Sequence, residues 1–224
     1  MKVICMSDSH LRHSERFCNG IPNRIKFPAI PDGDILIHSG DFCVMGDVEE
    51  TKIAMEWFGS LPHKHKVMIA GNHDRLFERN PVLARSMVPK DVIYLEDSLA
   101  TIEGIRIYGS PWTPKFMDWS FTKERGSMWE IWSKMPDNID ILVTHGPPSG
   151  NLGGFLKNEQ IDVGDEELLE RILQVKPRFH VCGHVHEGTG YHERYGIHFF
   201  NAAICNYAYW PVNQPMMFNI GKRP

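Results

Sequence analysis

Short apolar runs recur along the chain and alternate with polar segments that contain glycine or aspartate. Each run has four residues and is rich in β-branched side chains. Runs of this length and composition are typical of buried strands. We therefore predict strands at residues 3–6, 35–38, 67–70, 105–108, 141–144, 179–182 and 197–200.

Two segments between these runs have helical patterns. Residues 47–62 begin with acidic side chains, which favour a helix N-terminus, and Pro62 ends the pattern. Residues 164–177 form the second pattern, in which Asp165 is the expected N-cap. Its apolar positions share one helix face: Leu168, Leu169, Ile172 and Leu173.

The order of these elements predicts the fold class. Strands and helices alternate through the first half of the chain at the spacing of βαβ units, whereas the second half is richer in strands. Residues 98–110 are predicted to form a hairpin that turns at Glu103 and Gly104. We expect one α/β domain over residues 1–224, with two packed sheets and helices outside them.

Composition and charge narrow the range of partners. The net charge is −4, so nothing indicates a basic surface for long nucleic acid, although small ligands are not excluded. The first ten residues do not read as a signal peptide, and no run approaches the roughly 20 apolar residues of a membrane helix. The five cysteines form no C-x-x-C pair, which favours reduced thiols in the cytoplasm.

Polar side chains follow five of the predicted strands. In an α/β sheet the loops after the strands gather at one edge, so residues that are distant in sequence can meet there. The residues at these positions are Asp8, His10, Asp41, Asn72, His73, Asp74, His145, His184 and His186.

Seven of these side chains predict a metal site. Two aspartates, one asparagine and four histidines suit divalent Mn, Fe, Co, Ni or Zn better than Ca or Mg. Seven donors exceed the needs of one tetrahedral ion, and they fit two ions that share a bridging carboxylate. The surplus positive charge would suit an anionic phosphate, and a hydroxide that bridges the ions would suit in-line attack on phosphorus.

The ordered blocks D-x-H, G-D, G-N-H-D, H and G-H-x-H between Asp8 and His186 resemble the calcineurin-like metallophosphoesterase superfamily. The segments GSPWTPKFMDWSF, THGPP and NAAICNYAYWPVNQP are similar to its metallophosphoesterase-domain protein branch, which is associated with hydrolysis of phosphodiesters, including cyclic nucleotides. The resemblance implies a four-layer αββα sandwich of two mixed sheets. It also implies two divalent ions per chain, with manganese favoured.

The resemblance also implies a role for each site residue. The first metal would be bound by Asp8, His10 and His186, and the second by Asn72, His145 and His184. Asp41 would bridge the two ions, and His73 would protonate the leaving group. Many members carry an aspartate three positions after the G-D block to orient that histidine, but Val44 stands there in this chain. Either Asp74 or a backbone carbonyl would then orient His73.

The substrate expectation depends on an aromatic segment. Trp112, Phe116, Trp119 and Phe121 are either core residues or an aromatic rim above the metals that stacks on a nucleobase. The substrate-binding candidates are Asn72, His73, Trp112 and Trp119. Lys115 and Arg75 are the only cations expected near the motifs, and the extra negative charge of a monoester would favour a larger cationic clamp. We therefore expect a small phosphodiester or nucleotide as the substrate. A phosphomonoesterase, a protein phosphatase or a metal-free scaffold protein are the alternatives.

The sequence also predicts the surroundings of several other histidines and asparagines. His38 and His180 lie within apolar runs and are expected in the core, whereas His63 and His65 are expected in solvent. Asn201 and Asn206 are expected near the edge of the sheet that carries the site.

Overall fold

The computed structural model describes residues 1–20, 22, 25–150, 155–156 and 161–223, and its main feature is a pair of mixed β-sheets. Their strands, with two short ribbons (β7 with β8, and β10 with β11), are β1 (Lys2–Met6), β2 (Ile35–His38), β3 (His65–Met68), β4 (Val92–Tyr94), β5 (Ser98–Ile102), β6 (Ile105–Ser110), β7 (Thr113–Pro114), β8 (Thr122–Lys123), β9 (Ile141–Thr144), β10 (Phe155–Leu156), β11 (Ile161–Asp162), β12 (Phe179–Cys182), β13 (Gly190–Arg194), β14 (Ile197–Asn201) and β15 (Met216–Asn219).

Helices connect these strands. They are α1 (Val48–Ser60), α2 (Arg75–Arg79), α3 (Pro81–Met87), α4 (Trp129–Trp132) and α5 (Glu166–Val175), with 3₁₀ turns at Glu15–Phe17 and His186–Gly188. Asp47 caps α1 by accepting from the backbone N–H of Glu50, and Asp165 caps α5 as predicted. In the described part of the chain, no helix has the length and apolar character needed to cross a membrane.

The order of strands in the first sheet is β15-β1-β2-β3-β4, and β15 is the antiparallel member. The second sheet has the order β13-β14-β12-β9-β6-β5, with antiparallel strands β13 and β5 at its two edges. The predicted hairpin joins β5 to β6, and both turn residues, Glu103 and Gly104, have positive φ (49° and 88°), as a two-residue type I′ turn requires.

Three buried clusters define the layers. Val3 and Ile37 of the first sheet pack against Ile107 and Val143 of the second, so the central cluster lies between the sheets. A second cluster lies between the outer face of the first sheet and helices α1 and α3, and a third joins the second sheet to α4 and α5. This order of layers confirms the predicted αββα sandwich of two mixed sheets.

Two details differ from the sequence-based expectation. Strand β3 spans His65–Met68, two residues earlier than the predicted 67–70, because it pairs in register with β2 over Ile35–His38. His63 is buried, and its Nε2 lies 2.9 Å from the carbonyl oxygen of Pro31, so the prediction of a solvated side chain was wrong. His38 and His180 are fully buried as expected.

Candidate metal centre

The loops after β1, β2 and β3 of the first sheet meet those after β9 and β12 of the second. This meeting brings the seven predicted donor side chains together at the carboxyl ends of parallel strands. Their ligand atoms form two clusters, which a third group of His10, Asp41 and His73 joins, and most of the seven side chains are almost fully buried. The structure therefore assembles one site from segments that are far apart in sequence.

The first cluster contains Asp8, His10 and His186. The Nε2 atom of His186 lies 3.2 Å from Asp8 Oδ1 and 3.3 Å from the Nε2 atom of His10. His10 Nε2 is also 3.9 Å from Asp8 Oδ1. Three donor atoms thus point at one small volume, as one metal position requires.

The second cluster contains Asp41, His145 and His184, with Asn72 beside it. His145 Nε2 lies 3.3 Å from Asp41 Oδ2 and 3.0 Å from Asn72 Oδ1. Asp41 Oδ2 is also 3.9 Å from His10 Nε2, in the first cluster. Asp41 therefore stands between the two positions, where a bridging carboxylate would lie.

Backbone carbonyls orient three of the site histidines. Each accepts a hydrogen bond from an Nδ1–H at 2.8–2.9 Å, and the pairs are His10 with Cys43, His145 with Ser39, and His186 with Asn206. Each neutral ring therefore turns the lone pair of Nε2 toward the centre. Although burial disfavours a proton on His186, contact with Asp8 raises the pKa of this ring, so a cation bound between His10 and His186 would take the place of that proton. The donor set fits divalent metal ions.

The electrostatics of the centre favour the metal-binding states of its two aspartates and of His10 and His184. Burial lowers the pKa of His10 to about 3 and that of His184 to about 4, so both rings are neutral. Burial opposes ionisation of Asp8 and Asp41, but the neighbouring histidines outweigh it and hold both pKa values below the ordinary range. Although burial disfavours its proton, the charge of Asp41 raises the pKa of His145 to about 9. A metal ion must displace that proton.

The loops of the centre adopt backbone conformations that are uncommon outside glycine. Positive φ angles occur at Asp8 (52°), His10 (41°), Asp41 (57°) and His184 (67°). Such conformations cost of order 1–3 kcal/mol each and persist where surrounding contacts enforce them, often at functional sites. The strain lies on the residues whose side chains must converge.

Two glycines allow the backbone to approach the centre. A Cβ atom on Gly183 would lie 2.0 Å from Asp8 Oδ2, and one on Gly71 would lie 2.3 Å from Asp41 Oδ1. Neither carboxylate could keep its place beside a larger residue. The sequence alone left open whether these glycines served only tight turns, and the structure shows close approach.

A backbone carbonyl, that of Val44, orients His73. The Nδ1 atom of His73 lies 2.5 Å from this carbonyl oxygen, and its Nε2 atom lies 4.0 Å from Asp41 Oδ2. The side chain reaches the cavity beside the metal centre. The ring is thus held at the cavity wall beside the two donor clusters.

Asp74 has a different role from the one considered for it. Its carboxylate accepts hydrogen bonds from the backbone N–H groups of Asp41, Cys43 and Gly71 at 2.8–3.0 Å, and it makes no bond to the His73 ring. Burial and the nearby charge of Asp41 raise the pKa of Asp74 to about 6, while these N–H groups oppose the shift. Asp74 therefore holds the loop that carries Asp41, which corrects the alternative in which it orients His73.

An open cavity of about 470 Å³ lies above the centre. Site residues form its floor: Asp41, Asn72, His73, His184 and His186. Apolar and aromatic residues form its rim: Phe116, Met117, Trp119, Tyr207 and Tyr209. The tyrosines were missed in the sequence, where only the aromatic-rich stretch NYAYW could have indicated them.

The two candidate tryptophans differ in position. The Trp119 ring lies 4.0 Å from the His73 ring between centroids, and the Arg75 guanidinium lies 4.3 Å from its centroid. Trp112 is not among the described residues that line the cavity. Its Nε1 donates to Asp97 Oδ2 at 3.1 Å, and its ring packs against Phe121. The expectation of base stacking by Trp112 is therefore corrected to core packing.

The two asparagines of the tail make hydrogen bonds to the segment that carries the donors His184 and His186. Asn201 is fully buried, and its side-chain N–H donates to the carbonyl of Val185 at 2.8 Å. The carbonyl of Asn206 is the acceptor for His186 Nδ1. Neither side chain is among the described residues that line the cavity.

Cations on the cavity wall already have partners. Among the described lining residues, Lys115 pairs with Glu124 at 2.5 Å. Arg125 donates to the carbonyls of Val163 and Gly164, both at 2.7 Å. Sequence reasoning did not place Arg125 here, because it lies outside the recognisable motifs.

An αββα sandwich with clusters of oxygen and imidazole donors at its strand ends has the features of a metal-binding protein. Residues 1–188 match the family model described as calcineurin-like phosphoesterase. The chain belongs to that family, and together with its donor clusters this identifies a metal-dependent phosphoester hydrolase.

Similar proteins agree with this assignment. The chain is 37% identical over 243 residues to human metallophosphoesterase domain-containing protein 1, covering 98% of this chain and 71% of the human protein. A UPF0046 protein of Caenorhabditis elegans is 35% identical over 242 residues, covering 100% and 82%. The crystal structure of TT1561 from Thermus thermophilus has a TM-score of 0.57 at 11% identity, over 89% of this chain and 88% of that one. That likeness concerns the fold alone.

Proposed function

We propose that this protein is a binuclear phosphodiesterase that hydrolyses small diesters, with cyclic nucleotides as the expected natural class. The observation that carries the proposal is the chemistry of the cavity: donor side chains form the floor, and aromatic side chains form the rim. Manganese is the proposed metal. The cytoplasm is the proposed compartment, because the five cysteines are free thiols.

The charges around the cavity favour a diester. A phosphomonoester carries one more negative charge than a diester and gains from a free cationic clamp. In the described part of the cavity wall, Lys115 is paired with Glu124 and Arg125 is bonded to carbonyls. Glu187 adds a carboxylate to the same wall. This arrangement suits the less charged ester.

Each residue of the centre has a proposed role in metal binding, proton transfer or substrate binding. One ion would be held by Asp8, His10 and His186. The other would be held by Asn72, His145 and His184, and Asp41 would bind both ions. Bound ions would polarise the phosphoryl oxygens and lower the pKa of water. His73 would donate the Nε2 proton to the leaving oxygen, while the Val44 carbonyl keeps the other nitrogen protonated and the ring in place. Trp119 and the other aromatic rim residues would contact the organic part of the substrate.

A panel of esters tests this proposal. Protein loaded with manganese should hydrolyse bis-p-nitrophenyl phosphate and cyclic nucleotides with a higher kcat/KM than p-nitrophenyl phosphate or nucleoside monophosphates. A clear preference for monoesters would replace the diesterase proposal with a phosphomonoesterase or protein phosphatase on the same metal site. Absence of hydrolysis together with absence of metal binding would favour a scaffold protein.

A further inference from the structure

A short loop at residues 206–210 lies against the first metal position, beyond the segment that matches the family model. We infer that this C-terminal loop completes the first metal position by orienting His10 and His186. Asn206 and Tyr209 are its two positioning residues. The inference rests on the metal centre of the proposed function and is independent of the substrate class.

Asn206 folds the loop back on itself. Its side-chain Oδ1 accepts from the backbone N–H groups of Ala208 and Trp210, both at 3.0 Å. Its backbone N–H donates to the carbonyl of Trp210, and its carbonyl accepts from Tyr209 N–H at 2.8 Å. The same carbonyl accepts from His186 Nδ1 at 2.9 Å. The turn thus fixes the direction of the carbonyl that orients a metal ligand.

Tyr209 supplies the second contact. Its ring centroid lies 4.7 Å from that of His10 and 5.1 Å from that of His186, with interplanar angles of 68° and 77°. Edge-to-face contacts of this kind hold the planes of both imidazoles. Tyr209 has a positive φ of 58°, which is a genuine outlier for a bulky residue. Strain of this kind beside a donor cluster indicates a functional constraint.

The loop should affect one metal position more than the other. The rings of His10 and His186 belong to the first cluster, whereas His145 of the second is oriented by the carbonyl of Ser39. Among the described residues, Tyr209 has ring contacts with His10, His73 and His186. Because partners behind a ligand typically change metal affinity by about 10–100-fold, loss of the Tyr209 ring should weaken the first position selectively.

Two background variants separate the positions. His145→Ala weakens the second metal position, so the affinity measured in this background is that of the first position. His10→Ala weakens the first position, so the affinity measured there is that of the second. Manganese affinity is measured by calorimetry in each background, with and without Tyr209→Leu. We expect Tyr209→Leu to weaken binding by about 10–100-fold in the His145→Ala background and by less than about threefold in the other. Tyr209→Phe keeps the ring and should restore the affinity.

Tyr207→Leu is the matched control, because Tyr207 lines the same cavity but is largely exposed and has no ring contact with the described site histidines. It should leave manganese affinity unchanged. Asn206→Ala is a second variant that loosens the turn without removing the carbonyl, and it should also weaken the first position. Circular dichroism shows whether each variant is folded.

The outcomes are distinct. Equal weakening in both backgrounds, or none in either, overturns the role of the loop while leaving a binuclear centre in place. Failure of Tyr209→Phe to restore affinity also overturns it. Wild-type protein that binds less than one manganese ion per chain overturns the metal centre itself, and this inference with it. Electron paramagnetic resonance gives a second readout, because Tyr209→Leu at limiting manganese should show isolated ions in place of a coupled pair.

Discussion

The Nδ1 atom of His73 lies 2.5 Å from the carbonyl oxygen of Val44 and therefore carries the proton of that hydrogen bond. The opposite nitrogen, Nε2, lies 4.0 Å from Asp41 Oδ2, at the side of the ring that faces the metal centre. A carbonyl can only accept, so Nδ1 keeps its proton in both the neutral and the charged ring, and Nε2 is the nitrogen that takes up and releases the second proton. Val44 stands where the resemblance led us to expect an aspartate, and its main-chain carbonyl contacts the His73 ring.

His73→Ala should retain bound metal and lose rate. General acid catalysis typically contributes about 10²–10⁴-fold, so kcat should fall by that factor on an ester with an alkoxide leaving group. The loss should be much smaller for p-nitrophenyl esters, whose leaving group needs little protonation. Elemental analysis and kcat on both substrates test this. Loss of metal in the variant would reassign His73 as a ligand.

Asp41→Ala should lose metal and activity together. The carboxylate stands between the two clusters, at 3.3 Å from His145 Nε2 and 3.9 Å from His10 Nε2, so its removal affects both positions. Metal content and hydrolysis are measured on the same preparation. Asp47→Ala serves as the control, because this aspartate caps α1 and should change stability without changing metal content. A variant with full metal content would exclude the bridging role.

Metal removal should lower the melting temperature. Wild-type protein loaded with manganese should hold about two ions per chain by elemental analysis, and each ion stabilises the folded state by about 2.7 kcal/mol at a free concentration 100 times its Kd. For a protein of this size that corresponds to about 5–10 °C per ion. Thermal denaturation with and without a chelator measures the shift. An unchanged melting temperature would contradict metal binding by the folded state.

Gly183→Ala should damage the first metal position. The added Cβ would lie 2.0 Å from Asp8 Oδ2 and 2.2 Å from Ser7 Oγ, so the carboxylate must move. We expect the metal content to fall from about two ions to about one. Gly221→Ala is the control, because a Cβ there meets nothing within 4 Å. Full metal content in Gly183→Ala would show that the loop can shift while Asp8 still binds the metal.

Substitution of Trp112 should change the stability of the protein, whereas substitution of Trp119 should change its preference between substrates. Trp112→Ala should lower the free energy of unfolding by about 3 kcal/mol and leave the ratio of cyclic nucleotide to bis-p-nitrophenyl phosphate hydrolysis unchanged. Trp119→Ala should lower that ratio, since stacking on a base contributes roughly 1–3 kcal/mol. Chemical denaturation and kcat/KM on both substrates test the pair. An unchanged ratio in Trp119→Ala would restrict Trp119 to packing against His73.

Local sequence patterns were enough to predict the central strands of both sheets, helices α1 and α5, and the donor residues at the strand ends. Strands β2, β9 and β12 have the predicted bounds, because a run of four apolar residues between polar segments is too short for a helix and suits a buried strand. Asp165 caps α5 because capping involves residues two and three positions ahead. The seven donors stand at strand ends, and parallel strands bring their carboxyl ends to one edge. These consequences follow from local geometry.

Tertiary packing, by contrast, sets which partner each side chain meets. The contacts of His145 with Ser39, His73 with Val44 and His186 with Asn206 join separate loops, and the left-handed backbone at Asp8 and Asp41 sets the directions of their side chains. The same holds for Trp112 in the core and Trp119 at the cavity, seven positions apart in one aromatic segment. No sequence period governs such loops, because their conformation is set by packing and by hydrogen bonds to distant backbone.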